Sequence, residues 1–241
     1  MKASPQKAGS KTKKRILIVD DHPMMREGLA QLISHQPDLV VCGEAENAPQ
    51  ALEAVKNLQP DLVLADITLP GRNGIELIKD VQAMAPGMAV LVISMHDEAI
   101  YAERVLRAGG RGYIMKQEGG KKLMQAIRQV LSGQIFVSET ISAKILELFS
   151  GRGSHVPKSP IERLTDREFE VFQLVGRGLG RREIAQQLNL SVRTAEVHRA
   201  NIKKKLELKS SSELIRFAVR WVEGQDMSGD RSIQPRIQKQ T

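Results

Sequence analysis

RILIVDDHPMM, residues Arg15 to Met25, sets four apolar side chains directly ahead of two acids. Ile16, Leu17, Ile18 and Val19 lack the alternation of a half-exposed strand, which predicts a strand buried on both faces, in the middle of an α/β sheet. Asp20 and Asp21 then stand side by side at its end, two like charges that repel and lose hydration near a core. Either something positive sits beside them, or the pair is only a solvated strand end.

Working outward, the same alternation recurs. The helical spacing of Met25, Leu29, Leu32 and Ile33 follows the first strand. LVVCGEA reads as a second strand and APQALEAVKNLQ as a helix with Ala51, Leu52 and Val55 on one side. DLVLAD, AVLVISM and RGYIMK are further strands, and GIELIKDVQAMAP, EAIYAERVLRAGG and GGKKLMQAIRQVLSG further helices. Five β–α units with short connections predict a five-stranded, doubly wound parallel sheet of flavodoxin-like type over residues 15–133. Right-handed crossovers place helices on both faces, and the ligand site belongs beyond the carboxyl ends of the strands.

The remainder has a different character. Residues 1–14 are basic and expected to be disordered. Residues 134–160 read as a linker, with a short helix bearing Ile141, Ile145, Leu146 and Phe149 on one stripe, then a Gly-, Ser- and Pro-rich stretch. Residues 161–223 are helical throughout, and 224–241 form a polar tail expected to be disordered. The fold class is therefore α/β followed by an all-α domain. No apolar run is long enough to span a membrane, and the N-terminus lacks the apolar stretch of a secretory signal, so the expected compartment is the cytoplasm. Cys42 is the only cysteine, which excludes an internal disulfide and a cysteine metal cluster.

The net charge of +8 is unevenly placed. Residues 16–133 carry 11 basic and 15 acidic side chains, whereas 161–223 carry 13 and nine. An acidic front domain and a basic back domain imply two tasks, with a polyanion as partner of the second, unless the cations only solubilise a helical surface.

Asp66 closes the third strand as Asp20 and Asp21 close the first. In a doubly wound sheet these ends are neighbours, so three carboxylates converge and call for a bound cation. An oxygen-only cluster suits a hard ion, and Mg²⁺ is the usual occupant in phosphate chemistry. Ser94 ends the fourth strand and Lys116 the fifth, a small hydroxyl and a compact positive charge suited to phosphate oxygens.

With VDDH, DLVLADITLPGRNG, VISMHDE and GYIMK in place, residues 14–133 resemble the receiver domain of bacterial response regulators. The resemblance implies that Asp66 is phosphorylated by a sensor histidine kinase. It implies that Asp21 ligates Mg²⁺ directly, Asp20 mainly through water, and the Thr68 carbonyl completes the protein ligands. Ser94 and Lys116 would contact the phosphoryl group, and Tyr113 would move inward with Ser94.

In the back domain Thr165 and Glu168 form a capping box that opens a helix with Phe169, Phe172 and Val175 on its apolar side. RREIAQQL, the turn NLS and a longer helix capped by Ser191 make a helix-turn-helix. Ala195, Ile202 and Leu206 face inward there. Ser210 and Glu213 open a fourth helix, expected to end near Trp221. LTDREFEV and EIAQQLNLSVRTAEVHRANIKKKL resemble the LuxR-type four-helix DNA-binding domain of NarL/FixJ regulators. The resemblance sets Glu196, Val197 and Ala200 against base edges, and Arg182, Arg193, Thr194, Arg199, Lys203 and Lys204 against phosphates. Family members often carry lysine at the place of Glu196 and glycine at the place of Glu207. A glutamate repels phosphate but accepts from cytosine N4.

The resulting expectation is a phosphorylation-switched transcription factor that binds double-stranded DNA as a homodimer, with the last helix as a dimer contact. Its own phosphoryl group would be lost slowly, without turnover of a substrate. Two rivals exist: a signalling adaptor whose back domain binds protein, favoured by Glu196, and a Mg²⁺-dependent aspartyl-phosphate phosphatase, disfavoured by the lack of a second acid base near Asp66 and of a substrate cap.

Overall fold

In this computed structural model, residues 12–143, 160–188 and 190–229 are described. The chain divides into two compact units: residues up to Met95 with Val105–Val137, and His96–Arg104 with the residues from Ser138 onward.

The first unit holds five parallel strands, β1 (Lys14–Val19), β2 (Leu39–Ala45), β3 (Leu62–Ala65), β4 (Ala89–Ser94) and β5 (Gly112–Met115), in the order β2-β1-β3-β4-β5. Ile16 to Val19 and all of β3 are buried, so the uninterrupted apolar runs do belong to central strands covered on both faces. The helices that follow the strands along the chain are α1 (Pro23–Ser34), α2 (Ala48–Leu58), α3 (Gly74–Met84), α4 (Glu98–Arg107), whose residues up to Arg104 fall in the second unit, and α5 (Gly119–Leu131). Pro23 starts α1 where its missing N–H costs nothing, and Asn47 and Asn73 cap α2 and α3 through their side chains. One core cluster joins Leu29 and Ile33 of α1 with strand residues and with Leu123, Ala126, Ile127 and Val130 of α5. Of the helically spaced residues, Leu32 is 43 % exposed, whereas Leu29 and Ile33 fill the side of α1 that meets the sheet.

The segment after α5 departs from the expected linker. Phe136 is buried and bridges to Gly112 in parallel, with the Tyr113 N–H donating to the Phe136 carbonyl at 2.8 Å. It covers the open edge of β5, which the sequence leaves exposed. A side chain at 112 would meet that carbonyl at 2.7 Å, so the position takes glycine. Residues 139–143 are helical; the rest of the expected stripe, the Gly-rich stretch and residues 1–11 lie outside the described residues.

The second unit contains α6 (Asp166–Gly176), α7 (Arg181–Gln187), α8 (Val192–Lys205) and α9 (Ser211–Gly229). Thr165 and Glu168 form the capping box, and Ser191 caps α8 by accepting from the Thr194 N–H. Phe169, Phe172, Val175, Ile184, Ala185, Ala195 and Ile202 are all buried together with Leu214 and Ala218. α9 runs past the expected stop near Trp221 to Gly229, with no proline to end it there. The remaining tail from 230 lies outside the described residues.

Candidate functional site

Strand pairing assembles the acidic cluster. Val19 of β1 is in register with Ala65 of β3, so Asp20 and Asp66 leave the sheet side by side. Ser94 is in register with Met115, which brings the hydroxyl and Lys116 to the same edge. The Lys116 ammonium donates to Asp20 Oδ2 at 2.7 Å and to Asp66 Oδ2 at 2.8 Å. The side chains of Lys116, Asp20 and Asp66 are 5 %, 0 % and 4 % exposed. Lys116 thus supplies part of the compensating charge, which need not come from a bound ion alone.

Burial pushes the Asp66 carboxyl above the usual aspartate range, and the hydrogen bond and charge of Lys116 counter it only in part. Burial also works against the Lys116 ammonium, but its hydrogen bonds to Asp20 and Asp66 outweigh that effect and raise it. The lysine therefore keeps its proton beside the two acids.

The backbone around these acids is closely held. Arg26, itself buried, donates to the Asp20 carbonyl at 2.7 Å and to Glu46 at 2.8 Å, tying the end of β1 to the residue beyond β2. On the other side, the Gly74 N–H donates to the Ile67 carbonyl at 2.8 Å, and a Cβ at 74 would stand 2.3 Å from the Asp66 carbonyl oxygen. Only glycine lets α3 start so close to the acid. The Thr68 N–H donates to Asp66 Oδ1 at 3.2 Å.

The donor set fits a cation, with one change of composition. Asp21 Oδ1 is closed to solvent and takes no hydrogen bond, although His22 Nδ1 lies 2.8 Å away without hydrogen-bond alignment. His22 Nδ1 is also 3.2 Å from Asp20 Oδ1. Asp20, Asp21, His22 and Asp66 each offer one ligand atom, all within 4.8 Å of one another. The cluster is therefore not oxygen-only; an imidazole stands at its rim. An orphaned carboxylate oxygen among further acids remains a donor set for a hard cation.

Ser94 is fully buried and Tyr113 is 1 % exposed. The tyrosine ring lies inside the fold, on the strand next to the one that carries Ser94.

In the second unit, Arg193, Glu196, Val197, Ala200 and Lys204 are exposed on α8, and Thr194, Arg199 and Lys203 are half-buried along the same helix. Arg182 is exposed on α7. The Thr194 hydroxyl lies 2.8 Å from that of Ser191, inside the helix cap. The lysine run divides: Lys203 and Lys204 stay on the basic side, while Lys205 reaches Glu168 on α6 at 2.6 Å. Burial pushes Glu168 up, but hydrogen bonds from Lys205 and the Thr165 N–H outweigh it and hold the carboxyl below the usual glutamate range. Arg181, absent from the sequence-derived set, donates to Glu196 Oε1 at 2.7 Å. Glu207 has φ 58°, a left-handed conformation that glycine adopts without strain.

Residues 16–128 match the response regulator receiver domain family, and residues 162–218 match the bacterial regulatory proteins of the luxR family. The chain is 31 % identical to the oxygen regulatory protein NreC of Staphylococcus carnosus strain TM300, over 86 % of this chain and 97 % of that protein. Among solved structures it is similar to a LuxR-family two-component response regulator from Aurantimonas sp. SI85-9A1, with a TM-score of 0.54 and 34 % identity, covering 58 % of this chain and 99 % of that one. The RcsB response regulator of Salmonella typhimurium, in a structure concerned with conformational dynamism for DNA interaction, gives a TM-score of 0.63 at 25 % identity, covering 87 % of this chain and 98 % of that one.

Proposed function

The chain belongs to the response regulators that join a receiver domain to a LuxR-type helix-turn-helix domain, and from that premise we propose that phosphorylation of Asp66 controls its binding to DNA. A carboxylate oxygen of Asp66 attacks the phosphorus of a phosphohistidine on a sensor kinase. A P–O bond forms, the P–N bond breaks, and its electron pair stays with the imidazole, leaving an acyl phosphate on Asp66. Asp20, Asp21 and Asp66, with the Thr68 carbonyl, would hold Mg²⁺, which when bound neutralises charge on the phosphoryl oxygens. Lys116 turns from Asp66 Oδ2 to the new phosphoryl oxygens, and the Ser94 hydroxyl donates to another.

The observation that carries this reading is Lys116 bridging Asp20 and Asp66 at the strand ends. It provides a nucleophile and a cation already aimed at one point, which is most of what phosphoryl transfer asks of a protein. Once the charge at Asp66 changes, the Ser94 and Tyr113 region rearranges and promotes dimerisation, so that two copies of α8 meet two half-sites in the major groove. Val197 and Ala200 then face base edges, while Arg182, Arg193, Thr194, Arg199, Lys203 and Lys204 serve phosphates.

Selection of bound duplexes from a random pool, with and without acetyl phosphate and Mg²⁺, tests the whole scheme. Enrichment of one operator that strengthens with the phosphodonor is expected. Identical binding in both arms refutes phosphorylation control, and absence of any salt-sensitive DNA binding refutes the DNA-binding role.

A further inference from the structure

Glu196 stands in an unusual setting for an acid on a DNA-facing helix. Arg181, at the start of α7, donates to its Oε1 at 2.7 Å, bridging the two helices of the helix-turn-helix. The second oxygen, Oε2, takes no hydrogen bond among the described residues. Arg181, Glu196, Arg199, Ala200, Lys203 and Ser211 line one pocket of about 420 Å³ in which three cations surround a single carboxylate. Burial, and next the repulsion of Arg181, push the Arg199 guanidinium below its usual range, while Glu196 opposes the shift.

From this arrangement we propose that Arg181 positions Glu196 to read a cytosine in the major groove, with Arg181 as the positioning residue and Glu196 as the residue that determines specificity. The proposal rests on the DNA-binding reading above. An unpaired carboxylate entering a groove walled by phosphates is repelled at every sequence alike. Pairing with Arg181 neutralises that charge, so the carboxylate can enter without a general penalty. It also fixes the side chain through Oε1 and leaves Oε2 to accept from an exocyclic amino group. The major groove presents two exocyclic amino donors, adenine N6 and cytosine N4; adenine N6 lies beside the N7 acceptor, which repels a carboxylate, so cytosine N4 is the donor that suits an acceptor-only side chain. Arg181 is correspondingly engaged within the protein and does not serve as a phosphate clamp.

The test measures full-length protein, treated with acetyl phosphate and Mg²⁺, on its selected operator and on every single base-pair variant of it. Glu196→Ala is expected to lose discrimination at one C·G pair per half-site, by about tenfold or more. Arg181→Ala is expected to lose discrimination at that same pair although Glu196 is present, Arg181→Lys to restore part of it, and the double variant to be no worse there than either single one. A uniform weakening in Arg181→Ala, with a salt slope reduced by about one and discrimination intact, makes Arg181 a phosphate contact and overturns the proposal. A uniform strengthening in Glu196→Ala overturns it equally. If the wild-type protein binds no DNA, the parent reading falls as well; if it binds DNA and selectivity is retained in both variants, this proposal falls whole and the parent reading stands.

Discussion

The Lys116 ammonium lies 2.8 Å from Asp66 Oδ2, and the same nitrogen reaches Asp20 at 2.7 Å, from 50 and 96 residues away in sequence. One cation thereby restrains two buried acids, and its removal leaves both without their partner. Lys116→Met is expected to cost on the order of 3 kcal/mol of stability. Added Mg²⁺ should recover part of that loss, so that its stabilising effect is larger in the variant than in the wild type. Thermal unfolding with and without Mg²⁺ checks this; equal Mg²⁺ effects in both proteins would contradict a shared cation site.

Asp66→Asn keeps the shape of the side chain and removes the carboxylate proposed to accept the phosphoryl group. Labelling by a radiolabelled small phosphodonor should fall to background, while Ser94→Ala should keep some labelling. Undiminished labelling of the asparagine variant would exclude Asp66 as the acceptor.

Lys203→Ala tests the basic side of α8. The variant should bind every duplex more weakly by a similar factor, and the slope of log affinity against log salt should become shallower by about one. Competition among several sequences at two salt concentrations separates this from a base contact, which would weaken one sequence and spare the others.

Glu168 links the recognition helix to α6 through Lys205. Its carboxyl is held below the usual glutamate range, so the stabilisation is fully present above that range and is lost as pH falls through the folded-state value. Glu168→Gln should cost about 1–2 kcal/mol at neutral pH, less than a fully buried pair because Lys205 is 35 % exposed and screened. Denaturant unfolding at neutral and acid pH should show the difference between wild type and variant shrinking in acid. A difference independent of pH would show that the ion pair contributes nothing.

The parts legible in the sequence are those written into single segments. An apolar run ending in an acid announces Asp20 and Asp66, and LTDREFE announces its capping box, because strand burial and helix capping are local rules. His22 and Arg26 stand within the very stretch that reveals the acids, yet their roles depend on neighbours that only the folded chain supplies. Arg26 sits where α1 turns its side toward Glu44 and Glu46 at the end of β2, a relation set by sheet order and not by spacing. Arg181 escapes notice for a similar reason: its partner is 15 residues away on another helix. Phe136 reads as linker because edge strands carry no sequence mark of what will cover them.

The strand order β2-β1-β3-β4-β5 has a bearing on protein synthesis. Translation delivers the acids of β1 and β3 first and Lys116 only after β4 and α4 have emerged. A chain cut short before β5 lacks the ammonium that joins Asp20 to Asp66 in the finished fold. The clasp between the two acids is thus one of the last parts of this sheet edge to be synthesised.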